Sequence, residues 1–276
     1  MNLSPLNVPQ LLHQAGLRPD KRLGQNFLLD DAALYQVVES AQIDPQDIVL
    51  EIGPGLGSLT RLLALAASRV IAVELDGRLI PLLHQIVAPF PNVQILQGDI
   101  LALNLAQLLP DPGYLVVANI PYYITSSVIR HLLETASPPR RFVLTVQSEV
   151  AGRICASPGD MSLLALSVQV YGLPQVTARI PAESFYPAPN VDSSVVRVDL
   201  YANPRIPALM LDSFFCLIKA GFSQKRKTLR NALAGGLGWT PSRAAQLLEN
   251  AGIDPMRRAE TLSIPEWEQL VLAYTP

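Results

Sequence analysis

The chain has 276 residues, 49% hydrophobic and 16% charged, with a formal net charge of −2, which allows a sizeable core and argues weakly against a nucleic-acid partner. At roughly 100–200 residues per domain its length favours two domains. The two cysteines, Cys155 and Cys216, are far apart and form no Cys/His cluster, so nothing suggests disulfides or a metal site; with no apolar run near the ~18 residues of a membrane helix and no basic-then-apolar leader at the N-terminus, no membrane span and a cytoplasmic protein are expected.

From about Asp31 to Leu200, short apolar runs alternate with helical patterns. The predicted strands are Ile48–Ile52, Val70–Val73, Val93–Leu96, Tyr114–Ala118 and Phe142–Val146; Ser58–Ala67 and Arg78–Val87 read as helices between them. That alternation predicts βαβ units on a parallel sheet buried on both faces. After the break at Ala202-Asn203-Pro204-Arg205-Ile206-Pro207 nothing reads as a strand. Helices are predicted near Ala208–Ala220, Gln224–Ala234, Pro241–Ala251 and Pro265–Tyr274. The expected architecture is an α/β catalytic domain over residues 1–202 and a small helical domain over 203–276.

The strand ends carry the chemistry. Glu51-Ile52-Gly53-Pro54-Gly55-Leu56-Gly57-Ser58 follows the first strand, and its glycines let the backbone turn sharply and approach a ligand closely. A dinucleotide site would place a third glycine at position 58, where this chain has Ser; the G-x-G-x-G spacing after Glu51 is the arrangement expected for a nucleoside methyl donor in a Rossmann-like methyltransferase. On the glycines alone, dehydrogenase and methyltransferase both stay open. Glu74 closes the second strand in Val73-Glu74-Leu75-Asp76, a position from which a carboxylate can accept hydrogen bonds from both ribose hydroxyls. Asp76 reads as an exposed strand-end acid. Asp99, in Gly98-Asp99-Ile100, can accept from an adenine amino group. Asn119-Ile120-Pro121-Tyr122 follows the fourth strand: the Asn119 side-chain oxygen and the Ile120 carbonyl can each accept a hydrogen from an exocyclic amine, and Tyr122 offers its face to the heterocycle. An extruded adenine fits this description. The plainer alternative is a strand-to-loop junction in which Asn119 caps a helix starting near Thr125.

With these stretches in order, the chain resembles the ribosomal RNA adenine dimethyltransferase family, most of all its bacterial small-subunit members of the kasugamycin-resistance type. The resemblance also takes in Leu23-Gly24-Gln25-Asn26-Phe27-Leu28, Phe185-Tyr186-Pro187-Ala188-Pro189-Asn190-Val191-Asp192-Ser193-Ser194, Ala220–Asn231 and Arg258–Ser263. It implies S-adenosylmethionine as cofactor, with residues 1–30 covering it. Gln25, Asn26 and Leu28 would lie at its methionine end and Gly53 and Gly55 beneath it; Glu74 and Leu75 would take the ribose, Asp99 and Ile100 the adenine. Asn119 would lie between donor and target base. Phe185 is the candidate for the face of that base opposite Tyr122.

RNA contact is expected from local charge. Lys219, Lys225, Arg226, Lys227 and Arg230 occur with no acid among them, a run that reads as a phosphate-binding surface, and Arg140, Arg141 and Arg153 could extend it. The chain departs from the family pattern at Ser148, where Lys is usual, and over Met161-Ser162-Leu163-Leu164-Ala165, where the family carries a Tyr-Gly-Arg-Leu-Ser run. The implied activity is N6,N6-dimethylation of two adjacent adenosines in the 3′-terminal hairpin of small-subunit ribosomal RNA by a monomer. Two rivals stay open: the large-subunit dimethyltransferases of macrolide resistance, and a ribosome-assembly or transcription factor that keeps the fold and acts by binding.

Overall fold

A computed structural model describes residues 3–274; the outermost residues of the two expected domains, 1–2 and 275–276, lie outside the described residues. The chain packs as two units. The first runs to Ala151 and resumes over Gln175–Leu200; the second comprises Gly152–Pro174 and everything from Tyr201 onward.

The first unit opens with helix α1 (Val8–Gln14), capped by the Asn7 side chain, and the short strand β1 (Phe27–Leu28). Helix α2 (Asp31–Ala41) starts where Asp30 accepts a hydrogen bond from the Ala33 N–H at 2.7 Å. The βα alternation follows: β2 (Ile48–Ile52), α3 (Ser58–Ala66), β3 (Arg69–Glu74), α4 (Ile80–Val87), β4 (Val93–Gln97), α5 (Leu105–Leu108), β5 (Leu115–Asn119), α6 (Thr125–Glu134) and β6 (Arg141–Gln147). After α7 (Ser148–Ile154) and α8 (Leu163–Gln169) come β7 (Gly172–Ile180), β8 (Phe185–Tyr186) and β9 (Ser193–Leu200).

Seven strands form one sheet in the order β4-β3-β2-β5-β6-β9-β7. The β4-β3-β2-β5-β6 portion is parallel, as the alternation predicts. β9 runs antiparallel to β6, with Gln147 opposite Ser193 and Arg141 opposite Asp199, so the sheet is mixed. Its strands are apolar on both faces because both are covered: Val49, Val70, Leu115 and Val117 pack with Val37 and Leu63 of α2 and α3, while the alternate residues Leu50, Ile71 and Val116 are equally buried. The order reverses beside β2, which brings the C-terminal ends of β2, β3, β4 and β5 to one crevice.

Arg140 and Arg141 do not extend a basic surface. Arg140 holds the buried Asp47 in a bidentate pair at 2.6 and 2.8 Å, and Arg141 pairs with Asp199 across the β6–β9 ladder. Both guanidiniums are paired inside the first unit, Arg141 sharing Asp199 with Arg197.

The second unit is helical: α8, then α9 (Leu211–Gly221), α10 (Leu229–Leu237), α11 (Pro241–Asn250) and α12 (Ile264–Ala273) around Trp267, Phe214, Leu217 and Leu233. Gly236 lets α10 lie against α9; a Cβ there would come within 2.6 Å of the Ala220 Cα. The packing differs from a boundary at 202/203, because Met161, Ala165, Leu166 and Val170 belong to this core. The Met161–Ala165 departure therefore serves structure: Met161 and Ala165 are buried, and Ser162 caps α8 by accepting from the Ala165 N–H. Helix α10 begins later than the pattern predicts. Leu229 is fully buried and its N–H donates to the Arg257 carbonyl, so the start is set by a tertiary contact and Lys225–Lys227 fall on a turn.

Helix α12 has the strongest start. Ser263 and Glu266 form a reciprocal capping box, and Arg257 pairs with the same carboxylate. The Arg257 guanidinium beside Glu266 pulls its carboxyl down from 4.5 to about 2. A depressed folded-state value adds stability that is present above the ordinary carboxylate range and is lost as pH falls toward 2. We therefore expect Glu266→Gln to be less stable than wild type at pH 7, by about 1 kcal/mol at most given the partial exposure of the pair. In urea unfolding the difference should shrink steadily between pH 4.5 and 2.

Candidate active site

The crevice at the strand ends is an open cleft. Gln25, Asn26, Leu28, Gly53, Gly55, Glu74, Leu75, Asp99, Ile100, Asn119, Ile120, Pro121 and Tyr122 all line it, so four strand ends and the N-terminal segment bring the sequence-predicted residues together.

Its floor is the loop between β2 and α3. Gly53, Gly55 and Gly57 all take positive φ, at 69°, 59° and 87°. At Gly55 space is limiting as well: a Cβ would lie 2.9 Å from the Phe27 ring. Glu74 holds this loop, one carboxylate oxygen accepting from the Gly55 N–H at 2.9 Å and the other from the Asp76 N–H at 2.8 Å. Burial raises its carboxyl above the usual range, against the pull of those two N–H groups. Glu51 lies deeper. Burial, with the nearby Glu74 charge adding to it, pushes its carboxyl up to about 8, and its Oε2 is buried without a hydrogen-bond partner among the described residues.

Asp76 is not the exposed acid that its place after the strand suggests. It is 6% exposed, takes both Nε and Nη2 of Arg78 at 2.8 and 2.6 Å, and accepts from Gln25 Nε2 at 2.8 Å. Gln25 also accepts the Asp20 N–H, so its amide is committed to holding the N-terminal segment to the cleft edge. That segment is no mere loop: Val8 and Leu12 of α1 share a small core with Leu56 and Leu79.

The end of β5 carries the polar group with the clearest orientation. Asn119 Nδ2 donates to the Asn26 carbonyl at 3.0 Å, which assigns the amide and leaves Oδ1 as acceptor. Asn119 does not cap α6, whose N-cap is Ile124. Pro121 starts a turn over Tyr122–Ile124, and the Tyr122 hydroxyl shares a 2.7 Å hydrogen bond with Ser193 Oγ. Asp99 is exposed; Oδ1 accepts from the Leu101 N–H at 2.9 Å.

Phe185 goes elsewhere. It is 3% exposed, opposite Leu28 in the β1–β8 pair, and packs with Leu34 and Val195 in the sheet core rather than in the cleft. The cleft aromatics that sequence reading missed are Phe27, against Gly55, and Tyr123, 62% exposed and packed on Gly24. Both are adjacent to residues singled out, but no spacing rule marks them. Lys219, Lys225, Arg226 and Lys227, in the second unit, are exposed and Arg230 is partly buried; none has an ion-pair partner among the described residues, nor does the exposed Arg153. Ser148 is half-buried and bonded to Ser194 Oγ at 2.9 Å.

These groups fit a nucleoside carrying a cationic amino acid. At Gly53 an added Cβ would meet only the Asn119 carbonyl, at 3.8 Å, so the floor leaves open space there; the Glu51 Oε2 has no hydrogen-bond partner among the described residues, Glu74 keeps lone pairs beyond its two backbone bonds, and the N-terminus of α3 suits a carboxylate.

Residues 16–275 match the ribosomal RNA adenine dimethylase family. A "Ribosomal RNA small subunit methyltransferase A" of Dehalococcoides mccartyi is 44% identical over 99% of this chain and 97% of its own. Among solved structures, a dimethyladenosine transferase from Plasmodium falciparum superposes with a TM-score of 0.76 at 26% identity, covering 89% of this chain and 96% of its own. The 23S rRNA methyltransferase ErmE gives 0.74 at 26%, covering 90% and 98%.

The floor makes a sharp demand at one residue. Gly55→Ala should weaken binding of S-adenosylmethionine ~10-fold or more in calorimetry, since it combines a left-handed backbone with a ring contact. Gly152→Ala, in α7 with no atom within 4 Å of the added Cβ, should bind as wild type does.

Proposed function

The chain belongs to the ribosomal RNA adenine dimethylase family, and on that premise we propose that it dimethylates N6 of two adjacent adenosines in the 3′-terminal hairpin of small-subunit (16S) ribosomal RNA, with S-adenosylmethionine as donor. The observation that carries the reading is the orientation of Asn119: with its Nδ2 bonded to the Asn26 carbonyl, Oδ1 is the acceptor at the end of β5. The small-subunit target is favoured over the large by the kinship along nearly the whole chain, because the fold is shared with ErmE as well.

S-adenosylmethionine, when bound, supplies an electrophilic methyl group on a sulfonium. Glu74 would accept its ribose hydroxyls, Asp99 its adenine amino group, and the glycine loop with Asn26 and Leu28 its amino-acid end. Gln25 contributes by holding the segment that covers the cleft. The target N6 is a weak nucleophile because its lone pair is delocalised into the ring. Asn119 Oδ1 and the Ile120 carbonyl would each accept one of its hydrogens and favour a pyramidal, electron-rich nitrogen. No strong base is needed, and Tyr122 stays protonated because burial raises its phenol above the ordinary value. In-line positioning at about 3–3.5 Å supplies much of the acceleration. After one transfer the amine still has one hydrogen to donate, so the same acceptors serve the second. An adenine inside a stack is unreachable, so the target is taken extruded, with Tyr122 contributing ~1–3 kcal/mol of stacking.

We assign catalysis to the first unit and RNA binding to the second, through Lys219, Lys225, Arg226, Lys227 and Arg230, in a cytoplasmic monomer that acts during ribosome assembly. No helix among the described residues is long and apolar enough to cross a membrane.

With labelled donor and small subunits lacking the modification, nuclease digestion and mass spectrometry should yield dimethyladenosine on small subunits alone, and Asn119→Ala should abolish it. Label only on large subunits would move the protein to the resistance group; tight binding without label would make it a binding factor. If all five cations meet phosphate, subunit affinity should fall with a log–log salt slope of about −3.5, at ~0.7 per contact, and each alanine replacement should flatten it by that amount.

A further inference from the structure

We propose that Ser193 is a positioning residue for methyl transfer, fixing the angle of the Tyr122 ring on which the target adenine stacks. The inference rests on the function proposed above and adds to it a residue outside the cleft lining.

Ser193 is the first residue of β9 and is fully buried. A buried hydroxyl must give up its water, so an apolar residue would serve better there unless the hydroxyl has work to do. Its one side-chain partner among the described residues is the hydroxyl of Tyr122, at 2.7 Å. The backbone of Ser193 is held in turn by its place opposite Gln147 in the β6–β9 ladder. The tyrosine is thus gripped at both ends. At its Cα end it follows Pro121, whose ring limits φ to −57° at the start of the turn; at its far end the phenol is tied to a strand buried in the sheet. With only the first grip, the ring would swing about χ1 and χ2. With both, its face is held in the cleft wall, three residues beyond Asn119, which presents the acceptor for N6.

The next residue makes the assignment specific. Ser194 is 2% exposed and its hydroxyl is also committed, to Ser148 at 2.9 Å, at the end of β6 rather than β5. Two adjacent serines of one antiparallel strand thus anchor two different chain segments, and only one of these reaches the cleft. The phenol remains protonated, so the Tyr122–Ser193 bond orients the ring and moves no proton.

The test is a double-mutant cycle on methyl transfer to unmodified small subunits, with Ser193→Ala, Tyr122→Phe and the pair together, and Ser194→Ala as a matched loss of a buried hydroxyl on the same strand. Ser193→Ala and Tyr122→Phe should each lower kcat about 5- to 10-fold, as expected for losing one orienting hydrogen bond. Affinity for S-adenosylmethionine by calorimetry should be unchanged, and the double variant should be no slower than the slower single one. Ser194→Ala should keep kcat within about 2-fold of wild type. Multiplying losses in the double variant would overturn the proposal, as would a kcat for either single variant equal to wild type. An equal fall in Ser194→Ala would overturn it too, by tracing the effect to the packing of β9. Absence of transfer by wild type itself would instead remove the proposed function, which the same assay reads first.

Discussion

The cleft depends on one buried carboxylate. Glu74 stands at the end of β3 and accepts from the Gly55 N–H of the neighbouring loop and from the Asp76 N–H beyond its own strand. Those two bonds decide where the glycine loop sits, and the loop decides where α3 begins and what can lie above it. Three acids crowd this region, and each is accommodated differently. Asp76 keeps its charge because Arg78 matches it with two hydrogen bonds. Glu51 is carried toward the neutral form by burial. Glu74 lies between these extremes, raised by burial but stabilised by backbone N–H groups. The cleft floor therefore holds acceptors without concentrating three full negative charges.

The N-terminal segment belongs to the same arrangement. Its helix α1 shares apolar contacts with Leu56 of the glycine loop and with Leu79, and Gln25 fastens it to Asp76. Its backbone carbonyl at Asn26 then takes the Asn119 Nδ2, which turns the other end of that amide into the acceptor. Cover, floor and acceptor are successive links in one hydrogen-bonded chain. This is why Asn26 and Asn119, 93 positions apart, act as a unit.

Much of this architecture is legible in the sequence because burial on both sheet faces forces continuous apolar runs. Ile48–Ile52 is recovered residue for residue, and the strands through Phe142 to within one residue at each end. Residues at strand ends are legible for a related reason: after an apolar run, Glu, Asp or Asn followed by Gly or Pro has few purposes other than a turn or a ligand. What escapes has no local signature. Strand β9 pairs antiparallel at a distance, Phe185 enters the core because β8 pairs with β1, and α10 starts at Leu229 because Arg257 accepts its N–H. The ion pairs of Arg140 and Arg141 likewise join residues 93 and 58 positions apart, so a run of two arginines gives no hint that both are paired. At Asp76 only part of the environment is local: Arg78 lies two positions on, but its other side-chain partner, Gln25, is 51 positions away.

The position of β9 has a consequence for the order in which the molecule can assemble. In the sheet it lies between β6 and β7, yet it leaves the ribosome after both. While the chain is being made, β6 is exposed as an edge with its eventual neighbour still unsynthesised, and β7 has no native partner to dock on. The closing step must be insertion of a strand whose contacts are long in sequence, the slow kind of event in folding. That strand also brings the hydroxyl bonded to Tyr122, and β8 just before it pairs with β1 of the N-terminal segment, so both walls of the crevice are completed only when the last part of the first unit is in place.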